Sequence, residues 1–387
     1  MPNRLVMEHP DTFAAWSGAP STRSSSPTSS ARGNESVLED ADPQSTPWTK
    51  PYPTIGQFAM TPSQEIVAAG PDGLFYFCRL LDHPSKPWSG PRPFPKTSMN
   101  PDDSTVTSLA LCQPDPAHDD RPGSQCLHAY CVANGSLHEF RRDGGKADRF
   151  VPDPSPPLSN HRVVGTPYLT LVCPSSESSS ATWNLVVPSQ AGGLLSTATT
   201  SASLQDKGPT KWAREARVGQ KLGIISAVST AAVNYIDVMR EDRDFHYYNY
   251  TGLVAACVVD GDLHFLDGPF ITGKNTWVPV LYTKLPLIGE ARGNPVLLSM
   301  TYGVDQKNQL DLLVPSSNGV IYHFIRLSSV SSEWHMIGQI TFSQVSSATP
   351  CLSVCRDDPE SRTGTMRAVV SIEGKLYQAV TTEGANP

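Results

Sequence analysis

The stretch of this chain best equipped for chemistry is NYIDVMREDRDFHYYNY, residues 234–250, where Asp237, Glu241, Asp242, Asp244 and His246 stand with five aromatic residues beside Arg240 and Arg243. A histidine titrates near neutral pH, so His246 with Asp242 or Asp244 is the candidate acid/base group of an enzyme. Tyr247 and Tyr248 would add a stacking surface for a ligand. The same segment also reads as a capping loop whose aromatics pack on the body while its charges stay in water. Asp115, His118, Asp119 and Asp120 form a second polar cluster. Spacing does not fix the geometry a cation needs, so no metal site is assigned. The chain holds no G-x-S-x-G elbow, H-E-x-x-H pair, phosphate loop, dinucleotide fingerprint or EF-hand loop, and no cofactor is expected.

These residues need a scaffold, and the composition says what kind. With 28 Gly, 35 Pro and only 17% charged residues in 387, the chain favours turns and short strands over long helices. A net charge of −7 without a Lys/Arg-rich block excludes nucleic acid and anionic membrane surfaces as natural partners. The first residues lack the apolar core of a signal peptide, and no run of apolar residues is long enough to span a bilayer. The expectation is a soluble, cytoplasmic protein without membrane insertion. Its eight cysteines mostly sit in apolar runs without zinc spacing and are expected to be buried free thiols. Residues 1–44, rich in Ser and Pro, are expected to be a disordered tail ahead of a folded domain at 45–387.

That domain repeats. A hairpin glycine recurs at Gly73, Gly135, Gly192, Gly261, Gly319 and Gly374, at separations of 62, 57, 69, 58 and 55 residues. An apolar run precedes each one, as in LDLLVPSSNGVIYHF, and Asn-Gly or Asp-Gly supplies the positive φ that tight hairpins need. Upstream lies another run, opened by Gly-Thr-Pro at 165, Gly-Asn-Pro at 293 and Ala-Thr-Pro at 348, and downstream one carrying Trp88, Trp212, Trp277 or Trp334. Each unit is therefore four strands, A to D. Six such sheets, each able to bury its faces only against its neighbours, make an all-β, six-bladed β-propeller. The sixth unit stops soon after strand C, and TPWTKPY, with Trp48, is expected to close it as an N-terminal strand.

The blade pattern, an apolar strand, an Asn/Asp-Gly turn, an aromatic-bearing strand and a Trp strand, resembles the fungal fucose-specific lectins. The resemblance implies sugar sites between blades, each built from a strand-B arginine, a glutamate four residues after the hairpin glycine and an aromatic residue. Carried over, it marks Glu139 in the second unit and Arg367 in the sixth, and no unit holds both. Three residues after the glycine stand Tyr76, His138, His264, Tyr322 and Tyr377, with Leu195 in the third unit. Strand alternation puts this position on one face of each blade, where a polar-tipped ring can line a ligand site or pack against the next blade. Two functions stay open. One is a lectin-like module binding glycans or small molecules at blade or loop-face sites. The other is a cofactor-independent cyclase, isomerase or lyase of fungal-type secondary metabolism that uses the propeller as a pocket scaffold. A propeller that binds macromolecules is a third.

Overall fold

The computed structural model describes residues 57–380 apart from connecting segments, the longer of which are 80–87, 95–105, 114–125, 144–149, 173–180, 342–350 and 357–365. The six repeats are six antiparallel sheets, with strands in chain order from the inside outward. The first blade holds β1 (Phe58–Met60), β2 (Glu65–Gly70), β3 (Gly73–Arg79) and β4 (Trp88–Pro93). The second holds β5 (Val106–Cys112), β6 (Leu127–Ala133), β7 (Ser136–Arg142) and β8 (Val151–Pro152). The third holds β9 (Tyr168–Val172), β10 (Thr182–Pro188), β11 (Leu194–Thr200), a short helix α1 (Ser201–Gln205) and β12 (Ala216–Val218). The fourth holds β13 (Ala227–Glu241), β14 (Asp244–Val259), β15 (Asp262–Ile271), β16 (Thr276–Trp277) and a fifth strand, β17 (Leu281–Leu285), on β15. The fifth holds β18 (Val296–Tyr302), β19 (Lys307–Pro315), β20 (Val320–Leu327) and β21 (His335–Thr341). The sixth has three described strands, β22 (Cys351–Arg356), β23 (Met366–Ile372) and β24 (Lys375–Val380). The segment expected to complete it, with Trp48, lies outside the described residues, as does the tail. No helix among the described residues is long and apolar enough to cross a membrane.

The core is divided among the seams between blades. One cluster joins Val67, Tyr76 and Leu74 of the first blade to Leu127, Cys131 and Phe140 of the second, and equivalent clusters fill the second-to-third, third-to-fourth and fourth-to-fifth seams. Among the described residues, two seams also bury an ion pair. Arg142 donates to Glu65 across the first seam at 2.7 and 3.2 Å, with both side chains out of water and the guanidinium 4.9 Å above the Tyr76 ring. Arg326 donates to Asp267 across the fourth-to-fifth seam at 3.0 Å and lies over Trp334. Both arginines stand seven residues after their hairpin glycine, so the repeat delivers them to the same point of the blade.

The structure departs from the sequence reading in three places. The fourth unit has no A-to-B loop at 234–250: β13 and β14 run on as one hairpin in unbroken register from Ala227↔Val258 to Glu241↔Asp244. Its runs of Tyr, Val, Ile and Phe favour strand, and the partner strand satisfies the inward-facing half of the backbone groups that a loop would leave to water. In the first blade Gly70 pairs with Gly73, so Gly73 begins strand C and does not close the turn as Gly135 does. Tyr76 is consequently the fourth residue of its strand, in step with Glu139 and out of step with His138. Finally, Cys126 is only partly covered, whereas Cys78, Cys112, Cys131 and Cys257 are buried.

Arg142→Ala leaves Glu65 charged and uncompensated inside the first seam, and the expected loss is about 3–5 kcal/mol. Urea unfolding measures it, and adding Glu65→Met to Arg142→Met is expected to recover most of that loss.

Candidate functional site

Strand A of every blade converges on the axis, and together these strands enclose a cavity of about 470 Å³. Its wall includes Phe58 and Met60, Leu109 and Leu111, Tyr168 and Thr170, Thr230 and Ala232, Leu298 and Ser299, and Leu352 and Ser353. Each pair comes from one of the six blades. All the lining residues among those described are uncharged, and apolar side chains alternate with hydroxyls and amides. The size falls within the range of small-molecule pockets.

One end of the cavity is tied shut across the axis. Thr166, in Gly-Thr-Pro ahead of β9, donates its hydroxyl to Asn294, in Gly-Asn-Pro ahead of β18, and the Asn294 amide donates at 3.3 Å to Gln57 ahead of β1. The three residues come from alternate blades, so a short polar brace spans the opening. The glycine in this motif permits the approach. Gly165 has φ +61, and a Cβ on it would stand 2.3 Å from the Ser226 carbonyl oxygen of the next blade. The proline keeps the preceding residue extended, so the polar side chain enters the channel at the start of the strand. At the other end, where strand A passes to strand B, Ser63 donates to Gln113 of the neighbouring blade at 2.9 Å. The fourth-blade hairpin rises past that same end. Residues 234–241 extend β13 beyond the wall residues Thr230–Ala232 by up to ~26 Å of strand.

The residues singled out from the sequence fall into three groups. Asp244 and His246 lie two apart on β14, hence on one face of the hairpin, opposite Glu241 and Met239, and Tyr247 and Tyr248 follow opposite Val238 and Asp237. Asp242 lies outside the described residues, as do Asp115, His118, Asp119 and Asp120. His138 and His264 are part-exposed on strand C of the second and fourth blades, and burial lowers the pKa of each from the ordinary histidine value. Tyr76, Tyr322 and Glu139 are buried in the seams: Tyr76 donates to Glu65, and the Asn318 side chain donates to Tyr322 at 2.8 Å. Arg367 pairs through its backbone with Cys355 and Val380, and Tyr377 with Val370. Glu139 and Arg367 therefore belong to different blades, and the structure does not bring them together.

Glu139 is the centre of a buried network at the seam between the second and third blades. Its Oε1 accepts from His128 Nδ1 at 2.7 Å and from the Tyr130 hydroxyl at 2.9 Å, and the Thr210 hydroxyl lies 3.5 Å away. His128 Nε2 lies 2.9 Å from the Leu204 carbonyl of the third blade. Burial lowers the pKa of His128, but its bonds to Cys126 and Glu139 outweigh burial and lift it to about 9. Burial also pushes the Tyr130 hydroxyl and the Cys112 thiol upward. The axial wall was missed in the sequence reading. Its trace there was the small residue followed by a polar residue and proline that opens strand A.

No protein-family model matches the chain, and no curated protein does. Among solved structures, a triple Arg-to-Ala mutant of AofleA from Arthrobotrys oligospora matches with a TM-score of 0.52 at 12% identity, over 86% of this chain and 85% of that one. A mutant of Aleuria aurantia lectin in complex with alpha-methyl-L-fucoside matches with a TM-score of 0.49 at 14% identity, over 87% and 99%. SapL1 lectin in complex with alpha methyl fucoside matches at 0.47 and 11%, over 86% and 97%. At 12% identity the likeness to the AofleA mutant concerns the fold alone.

The His128 result gives a pH dependence. A histidine whose folded pKa lies above its unfolded value adds stability that is complete below the unfolded pKa, near 6.5, and gone once pH passes about 9. Chemical unfolding is expected to show stability falling by roughly 1–3 kcal/mol from pH 6 to 9. Deprotonation of buried thiols in the unfolded chain contributes to the upper part of that fall, so the part due to His128 is the difference between the wild type and His128→Gln.

Proposed function

We propose that the protein is a lectin-like binding propeller that takes a small, neutral, hydroxyl-rich ligand such as a glycoside in its axial cavity. Two things support a binding module: the blade pattern resembles that of the fungal fucose lectins, and the fold is shared with the AofleA mutant. The observation that carries the location is the charge-free axial wall. Its hydroxyls on Thr170, Thr230, Ser299 and Ser353 can exchange hydrogen bonds with ligand hydroxyls, while Leu109, Leu111 and Leu298 suit the apolar face of a sugar ring. A charged ligand would enter without a counter-charge and lose its hydration, which disfavours acidic sugars.

The inter-blade position offers less to a sugar. Its carboxylate, Glu139, is spent on His128 and Tyr130 inside the seam, and Tyr76 and Tyr322 bond within their own seams. His138 and His264 remain part-exposed there and are the alternative site.

The test is titration calorimetry with a panel of neutral and acidic methyl glycosides, methyl α-L-fucoside included, at millimolar concentration. Ala232→Trp, which fills the cavity, is expected to weaken binding of the neutral members at least tenfold, while the His138→Ala/His264→Ala double variant binds as the wild type does. Unaltered binding by a folded Ala232→Trp protein would overturn the axial location. A blank panel with the wild type would overturn the carbohydrate reading.

A further inference from the structure

The rim of the fourth blade is built unlike the other described rims. A propeller exposes the last strand of each blade, and an open edge strand invites pairing unless something blunts it. In the first blade β4 carries Pro91 and Pro93, and the second and third blades end on strands of two and three residues. In the fifth, the register of β21 on β20 shifts between His323 and Phe324. The rim strand β17, Leu281–Leu285, has none of these devices. It runs in unbroken register on β15 from Leu263↔Leu285 to Asp267↔Leu281, and among the described residues no strand pairs with its outer side. Ile271, Val278, Leu281 and Tyr282, four of the seven exposed large apolar residues among those described, lie along this rim, so it is apolar as well as open.

We propose that β17 pairs with β17 of a second copy of this chain, antiparallel about a two-fold axis at Thr283, to form a homodimer. The strand itself, LYTKL, singles out that partner, because its residue types read nearly the same in both directions. With Thr283 opposite its own copy, Leu281 meets the partner's Leu285 and Tyr282 meets the partner's Lys284. Opposed side chains in an antiparallel pair stand about 4.5–5.5 Å apart at Cβ, within contact for both pairs. The first pair is hydrophobic, and the second sets an ammonium against a phenol ring. A slip of one residue would put Leu281 against the partner's Lys284, and a slip of two the other way would put Lys284 against its own copy, so the register is specified.

A lysine on an edge strand ordinarily keeps other chains away. Here Lys284 donates to Asp262 of its own blade at 2.6 Å, so the two charges cancel locally and the rims meet without net repulsion. Leu285 packs on the core of the fourth-to-fifth seam, which anchors the strand from within and presents its outer edge already formed. A five-residue edge falls short of the ~1,200 Å² of stable interfaces, so the dimer is weak and concentration-dependent. Antiparallel pairing of the rims also turns one disc over, and the two axial openings face opposite ways.

Sedimentation velocity of the full-length protein from about 10 to 500 µM tests the proposal. The weight-average mass is expected to climb from one chain toward two. Tyr282→Lys, which faces lysine with lysine, is expected to weaken association about tenfold, and adding Lys284→Tyr, which restores a lysine against a tyrosine, to recover it. In Thr283→Cys the two new thiols stand opposite each other and are expected to form an intermolecular disulfide under mild oxidation, located by peptide mapping. Leu281→Cys sets its two thiols about 13 Å apart along the strands and is expected to stay uncross-linked. A single-chain mass throughout the range, or cross-linking of Leu281→Cys as ready as that of Thr283→Cys, would overturn the proposal. A dimer left intact by Tyr282→Lys would put the contact elsewhere and overturn it equally.

Discussion

A sheet that points its first strand at an axis leaves that strand with one unpaired edge, and buried N–H and C=O groups on such an edge need partners. Here the partners are short hydroxyl side chains reaching from one innermost strand to the next. Ser108 donates to the Gly165 carbonyl and Thr170 to the Thr230 carbonyl, while Ser229 accepts from the Leu297 N–H at 2.8 Å. Ser353 of the sixth blade accepts from the Met60 N–H of the first at 3.2 Å, which closes the circle. Small hydroxyls suit the job because a longer side chain would fill the axis. The cavity is the space that this economy leaves, and its uncharged wall follows from the same choice.

The seams meet a different demand. Blade faces are broad and mostly apolar, so packing alone specifies their relative rotation weakly, whereas a buried ion pair is tolerated in only one arrangement. Arg142 with Glu65 and Arg326 with Asp267 have that character, whereas the His128–Glu139 pair lies within the second blade and reaches the third through the Leu204 carbonyl. In the fifth blade the same two positions hold Asp311 and His323, 2.9 Å apart, with acid and base exchanged between the strands. This use of polar residues explains why the carboxylate that resembles a sugar ligand is not at the surface. Its position four residues after the hairpin glycine faces a neighbouring blade, and what that blade offers decides whether the group meets solvent or an imidazole.

Much of the architecture was readable in the chain. The spaced hairpin glycines, the proline-marked strand starts and the tryptophans of the outer strands marked out six repeated units of consecutive strands, because turn chemistry and strand periodicity are local properties, while the fifth strand of the fourth blade left no such mark. What the chain hid was relational. A one-residue change in the first turn moved Tyr76 into step with Glu139, and a glycine count could not detect it. The network around Glu139 reaches Thr210 directly and Leu204 through His128, both on the next blade and more than 60 residues away in sequence. Residues 234–250 looked like an elaborated loop because their charges and aromatics drew attention from an alternation equally consistent with a long hairpin. The axial wall went unnoticed because serine and threonine in a strand carry no signature of a binding site.

The central claim is that ligand binding has its place on the axis and not between blades. A crystal of the protein soaked in a neutral methyl glycoside that binds in solution tests it most directly. The account predicts density for the sugar within the ring of innermost strands, in contact with Thr170, Thr230 or Ser353. Density in a seam beside His138 or His264, with the axis holding only solvent, would contradict it.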